Sequence, residues 1–317
     1  MGDIDDDDDC CDPTAWYYHE LWRAETYGWE SLAKKLREAG PPPRELARTP
    51  VIFEGPISSD PGNLLALLSA AASNDLALVV TSDADGNTLR CARHLLDSVG
   101  RDDVPVVAQA QPPQQHHGHD SDGSSVAAAV EDPSADVLAA VRKVCATSSP
   151  AVRWIATGSP TTLAKMLRHD APMRTLLAVT LSDFDFPHQA ADAAMVVESV
   201  EDLMLVRSQT VSVAEITMHD GLLAACGVPA GPALGPLLDR WPADPVCSAL
   251  PIATTAAGLL MPFEFTQEPV VVSESGQIIV DPASGYRRWV TTEISDVAFW
   301  LGKQLAQLPI ARERPRP

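Results

Sequence analysis

The sequence predicts an α/β protein of Rossmann-like type, with a mainly parallel sheet and helices on both faces. Three observations predict it. From Arg48 onward, short apolar runs alternate with segments of helical periodicity, the β-α-β order that builds parallel sheets. Val51–Leu68 reads as an apolar strand, a turn at Asp60-Pro61-Gly62 and then an apolar helix. Such a corner opens at the carboxyl edge of the sheet, where α/β folds place their ligands. No internal repeat interrupts the order, and no apolar run reaches the length of a membrane span.

The elements follow in sequence. Residues 1–46 form an extension of different composition, beginning with an unbroken acidic run at Asp5–Asp9. Trp16, Tyr17, Tyr18, Trp22, Tyr27 and Trp29 come next, concentrating three of seven tryptophans and three of four tyrosines in this short stretch. Thr14–Ala39 has helix-forming character and is stopped by Gly40 and Pro41–Pro43. Trp22, Trp29, Leu32 and Leu36 recur at roughly helical spacing and predict one apolar stripe. That stripe suits either a helix folded onto its own domain or a docking element, since Trp anchors interfaces. Trp16, Trp22 and Trp29 are the candidate partner-binding residues.

The main domain spans 47–310, and 311–317 are a Pro/Arg tail. Strands are expected at 51–53, 76–81, 104–108, 152–157, 176–181 and 203–206, with helices at 64–72, 88–98, 135–146, 161–168 and 190–198. Residues 109–135 form a long polar loop, and helical segments return near 213–226 and 246–259. A hairpin pairs 269–273 with 277–280, and a closing helix covers 296–307.

Composition bounds the function. A net charge of −20 opposes nucleic-acid backbone binding and favours a basic partner surface. The acidic N-terminus is unlike a secretory signal or a transit peptide. The six cysteines show no zinc-type pairing beyond adjacent Cys10 and Cys11, which reads as reduced thiols in an intracellular, cytoplasmic protein. No membrane association is expected, and a homo-oligomer is compatible with the sequence.

Seven segments, in order, resemble the inosine-uridine-preferring nucleoside hydrolase family over about residues 48–308. Val51–Leu68 resembles its opening strand, Asp-x-Asp-Pro-Gly-x-Asp-Asp turn and helix. Val79–Ser82 with Gly86-Asn87 resembles the second strand and the turn whose Asn contacts ribose. His117-Gly118 with Asp122-Gly123 resembles a His-Gly-x-x-Gly loop. Trp154–Ala164 resembles the segment in which a carbonyl binds calcium, a place held here by Thr157. Ala190–Val197 resembles a following helix, Ala243-Asp244-Pro245 a His-Asp-Pro motif, and 270–280 with 290–305 the final hairpin and helix. The resemblance implies the nucleoside hydrolase fold and a calcium-bound water that attacks the bond between base and ribose.

That chemistry needs oxygen ligands, because calcium takes six to eight of them, mostly carboxylate. Between 51 and 68 the only acids are Glu54 and Asp60. Placing them first and third leaves Pro56 and Pro61 in the other two carboxylate positions. Anchoring on Asp-Pro-Gly instead puts Leu64 and Leu65 where the aspartate pair stands. The register stays open, and neither restores more than two of the family's four acids.

The residual metal positions are Glu54, Asp60, Thr157 and Asp244, with Asp60 the catalytic candidate if the protein is active. Asp60 and Asp244 each precede proline, so both also read as helix N-caps. Ala243 replaces the proton-donating histidine, and Phe186 stands near the place of a sugar-binding Asn. Asp183 and Asp185 are substitute ligands or solvated loop acids. Asn87 serves ribose or only the turn after Gly86. His116, His117, His119, Asp120 and Asp122 are either an adventitious metal site or a solvated loop.

Three functions follow. The first is an inactive nucleoside hydrolase homologue, needing no cofactor and acting as a structural or interaction subunit through its fold surface and the 1–46 arm. The second is a working calcium-dependent ribonucleoside N-glycosidase with a site rebuilt from Asp60, Glu54, Asp183 or Asp185, Asn87 and Asp244. The third is a metal-free nucleoside-binding sensor.

Overall fold

The computed structural model describes residues 13–39, 49–57, 61–73, 75–81, 87–109, 133–147, 151–170, 172–211, 215–217, 246–259, 264–294, 297–305 and 308. The chain divides into two compact units, Met1–Thr49 and Pro50–Pro317.

In the first unit, helices α1 (Pro13–Thr26) and α2 (Glu30–Ala39) form a hairpin. One continuous helix was the expectation, and Gly28 is why there are two. Its φ of 73° is open to glycine at little cost, and it lets the chain turn after the Trp29 N–H bonds to the Ala24 carbonyl at 2.8 Å. The break also divides the expected stripe. Trp22 and Trp29 are 57% and 45% exposed, whereas Tyr17, Ala24 and Ala33 are the buried apolar residues. The Tyr17 hydroxyl donates to the Leu36 carbonyl at 2.8 Å and ties the two helices together.

The second unit is built on a nine-stranded sheet. Its strands are β1 (Val51–Gly55), β2 (Leu76–Thr81), β3 (Val106–Ala108), β4 (Val152–Ala156), β5 (Leu177–Ser182), β6 (Asp202–Val206), β9 (Glu264–Val272), β10 (Ile278–Val280) and β11 (Arg287–Glu293). Their order is β10-β9-β11-β6-β5-β4-β1-β2-β3. All neighbours from β11 to β3 run parallel, and β9 and β10 close one edge antiparallel. The fold class is thus the expected one.

Helices α3 (Pro61–Ala72), α4 (Asn87–Ser98), α9 (Leu250–Gly258) and α10 (Val297–Leu305) contribute to one hydrophobic core. Helices α5 (Pro133–Thr147), α6 (Thr161–His169) and α8 (Ala190–Ser199) contribute to the other, and a short α7 (Met173–Leu176) leads into β5. Strand alternation divides β1 between the two. Val51 and Phe53 face the first core and Ile52 the second. Helix α3 is apolar but for Asn63 and Ser69 and buried from Pro61 to Ala71, as befits a helix enclosed by α9, α10 and the sheet.

Several elements differ from expectation. Strand β3 starts only after Pro105, which has no N–H for a ladder but whose carbonyl accepts from Val79 at 3.0 Å. The described part of the expected 213–226 helix is instead β7 (Glu215–Thr217), paired antiparallel with β8 (Val246–Ser248). The 246–259 helix accordingly begins at Leu250, where Ser248 Oγ accepts the Leu250 N–H at 3.3 Å. Strand β11 is an addition to the expected hairpin, and its aromatic and β-branched residues suit a sheet. Among the described residues, no helix is long and apolar enough to cross a membrane.

Arg101 fastens the link from α3 to β2. It is buried, and its guanidinium donates to the carbonyls of Ala71, Ser73 and Leu76 at 2.8, 2.7 and 2.9 Å while pairing with Asp103. The Ala71 carbonyl is one that the helix end leaves open, and Ser73 and Leu76 follow on the way into β2. Arg101→Met should therefore cost roughly 2–4 kcal/mol in urea unfolding, from acceptors left buried without donors. A loss below about 0.5 kcal/mol, typical of an ordinary surface change, would contradict this role.

Candidate functional site

The chain passes from β1 to β2 and β3 on one side, then returns to β4 on the other. Strands β1 and β4 thus flank a topological switch point, where open α/β sheets form their ligand crevice. A cavity of about 360 Å³ lies there. Its described lining comes from the residue after β1 (Pro56), the first turn of α3 (Asn63), the residue after β4 (Thr157), the loop after β5 (Phe184, Asp185), and the β8–α9 junction (Ser248, Leu250, Pro251).

Thr157 makes the floor. Its N–H donates to the Glu54 carbonyl at 2.9 Å, and its hydroxyl donates to Asn63 Oδ1 at 2.7 Å. Both side chains are buried. Gly55 stands beside this bond, and a Cβ there would come within 2.3 Å of Thr157 Oγ1. Gly158 has a related role, since its Cβ would stand 2.8 Å from Pro56 Cδ and 3.8 Å from Asp185 Oδ2. The two glycines permit these close approaches at the strand ends.

Glu54 is placed elsewhere. Its carboxyl is buried and is not part of the cavity lining. Trp154 Nε1 donates to Oε2 at 3.0 Å, and Oε1 has no hydrogen-bond partner. Burial pushes the pKa up to about 7, with the Thr162 hydroxyl and the Trp154 indole pulling the other way. A neutral carboxyl is what such surroundings favour, because ionisation there would strand a charge away from water.

Asp185 is the carboxylate that lines the cavity. Burial raises its pKa, and the charge of nearby His188 works against that. Asp183 is engaged in the loop itself, accepting the Ser208 N–H at 2.7 Å. Phe186 is fully buried in a 3₁₀ turn and belongs to the core packed on α6 and α8.

The structure therefore brings Pro56, Thr157 and Asp185 to one cavity and leaves Glu54 and Phe186 in the interior. Pro61 is the first residue of α3, where a missing N–H is harmless, and it is buried. Leu64 and Leu65 are buried in the core beneath it. Asn87 opens α4, its side chain lying outside the described residues. Asp60, Ala243, Asp244 and the 116–122 histidine loop also lie outside them, as does the Trp16 side chain.

Asn63, Ser248 and the α9 start were not found from sequence. The signal for Asn63 was present, because it follows Asp60-Pro61-Gly62 and is the only oxygen-bearing side chain in the first turn of α3. Ser248 carried no comparable signal. Among the described residues, no group of three His, Cys, Asp or Glu side chains stands close enough to hold a metal. The described lining offers one carboxylate, from Asp185, with the oxygens of Asn63, Thr157 and Ser248. That donor set falls short of the carboxylate-rich shell calcium takes.

No family model matches the chain, and no curated protein matches it in sequence. Solved structures do. The inosine-uridine preferring nucleoside hydrolase from Bacillus anthracis matches with a TM-score of 0.60 at 12% identity, over 82% of this chain and 99% of its own. The purine-preferring ribonucleoside hydrolase from Gardnerella vaginalis has a TM-score of 0.60 at 12% identity, over 82% and 98%. An inosine-guanosine nucleoside hydrolase has 0.56 at 14%, over 83% and 98%. At such identities the likeness is one of fold, and the chain has the nucleoside hydrolase fold.

Glu54 predicts a pH dependence of stability. Its folded pKa of about 7 lies above the ordinary 4.5, so between these values the folded chain keeps a proton that the unfolded chain has released. Its contribution is greatest below the lower value, falls as pH rises through the window, and levels off above the upper one. Urea unfolding at pH 5 and pH 8 should show a loss of stability that is smaller in Glu54→Gln. Equal losses in the two proteins would contradict the assignment.

Proposed function

We propose that this is a nucleoside hydrolase-like protein that does not hydrolyse nucleosides, and that it works as a structural or interaction subunit. The observation that carries this reading is the composition of the strand-to-helix corner. Where the family supplies calcium ligands, this chain has Pro56 and Pro61, or Leu64 and Leu65, and both leucines are core residues. Neither proline nor leucine offers a side-chain oxygen. Glu54, the nearest remaining acid among the described residues, is turned to the interior and bonded to Trp154. A calcium-bound water would lack the full set of carboxylates that holds its ion.

Interaction is assigned to the N-terminal unit. Trp22, Tyr27 and Trp29 are all exposed, the rings of Tyr27 and Trp29 lie 5.6 Å apart, and the Arg23 guanidinium sits 5.9 Å from the Trp29 centroid. Exposed aromatic and Arg side chains are the anchors that dominate protein interfaces. The net charge of −20 favours a protein partner with a basic surface.

The alternative is a calcium-dependent ribonucleoside N-glycosidase. The observation in its favour is the cavity itself, which stands at the switch point with Thr157 and Asp185 in its lining. An assay of base release from inosine and uridine, with calcium in excess, separates the two. No release above the uncatalysed rate is expected. Turnover that depends on calcium and is lost in Asp60→Ala would overturn the proposal and put the alternative in its place.

A further inference from the structure

We propose that the cavity at the carboxyl ends of β1, β4 and β5 binds a small organic cation, a primary ammonium or amidinium group carried on an apolar body. The charge on the cavity wall points this way. Among its described lining residues, Asp185 is the one charged side chain, and no Lys or Arg faces it there. Its carboxylate lines the cavity and makes no hydrogen bond or ion pair with a described residue. A half-buried carboxylate that only the charge of nearby His188 offsets is under-solvated, and a cation brought against it regains what burial took away. The raised pKa of Asp185 expresses the same deficit.

The remaining walls fit the rest of such a ligand. Phe184 is 67% exposed and presents an aromatic ring on the loop that carries Asp185, suited to a cation–π contact. Pro56, Leu250 and Pro251 supply apolar surface, and Asn63 and Ser248 add polar groups that can fix orientation. An anion would meet Asp185 without a balancing charge. A divalent metal would find one carboxylate where several are needed. The chain's net charge of −20 raises the local concentration of cations, which favours the same class.

The inference does not depend on whether nucleosides are hydrolysed. Calorimetry on the full chain with benzylammonium, benzyl alcohol and benzoate tests it, because the three probes share a body and differ in charge, and none carries a glycosidic bond. Benzylammonium is expected to bind at least tenfold tighter than benzyl alcohol, with benzoate weakest. Asp185→Asn should abolish that preference, and Phe184→Ala should weaken benzylammonium several-fold. The Asp185 side chain caps no turn and Phe184 is exposed, so circular dichroism should show both variants folded. Equal binding of benzylammonium and benzyl alcohol, binding of neither, or an unchanged preference in Asp185→Asn would overturn the proposal.

Discussion

The return of the chain across β1 constrains everything that follows. After β3 it comes back to form β4 on the opposite side of β1, and α3 and α6 then lie against opposite cores. A cavity opens at the carboxyl ends of β1 and β4. The Thr157 N–H to the Glu54 carbonyl holds those two ends together at the base. Whatever side chains rise from this floor decide the chemistry, and the fold alone does not.

Here the head of the helix is apolar, with Pro61, Leu64 and Leu65 all buried. A cluster of carboxylates at the head of a buried helix is costly unless a metal gathers them, since each would carry an uncompensated charge out of water. Leucines at 64 and 65 reverse that balance, each contributing about 1.5–3 kcal/mol by burial. For Glu54, burial raises the pKa to about 7 and so favours the neutral carboxyl, with Trp154 donating to one oxygen. Thr157 turns its hydroxyl to Asn63 and so satisfies a group that would otherwise stand exposed to the cavity.

The fold was legible because its signals are local. Strands such as Leu76–Thr81 and Leu177–Ser182 are short apolar runs buried almost throughout, and Pro61-Gly62 of the expected corner opens α3. The sequence of the N-terminal hairpin suits one helix because a single glycine inside a helical pattern is often tolerated, and only its positive φ marks Gly28 as a break. At the cavity, sequence indicated Thr157, Pro56 and Asp185 through motif positions. It could not show that Glu54 faces inward, since that depends on strand alternation and on Trp154, 100 residues away. Ser248 was hidden for a similar reason, because β8 exists only through its pairing with β7.

Calorimetric titration of the full chain with calcium tests most directly whether the corner lacks the ligands for that ion. The prediction is no saturable binding at micromolar concentrations. A single site of micromolar affinity that disappears in Asp60→Ala would contradict it, and would mean that acids beyond Glu54 and Asp185 complete a working shell.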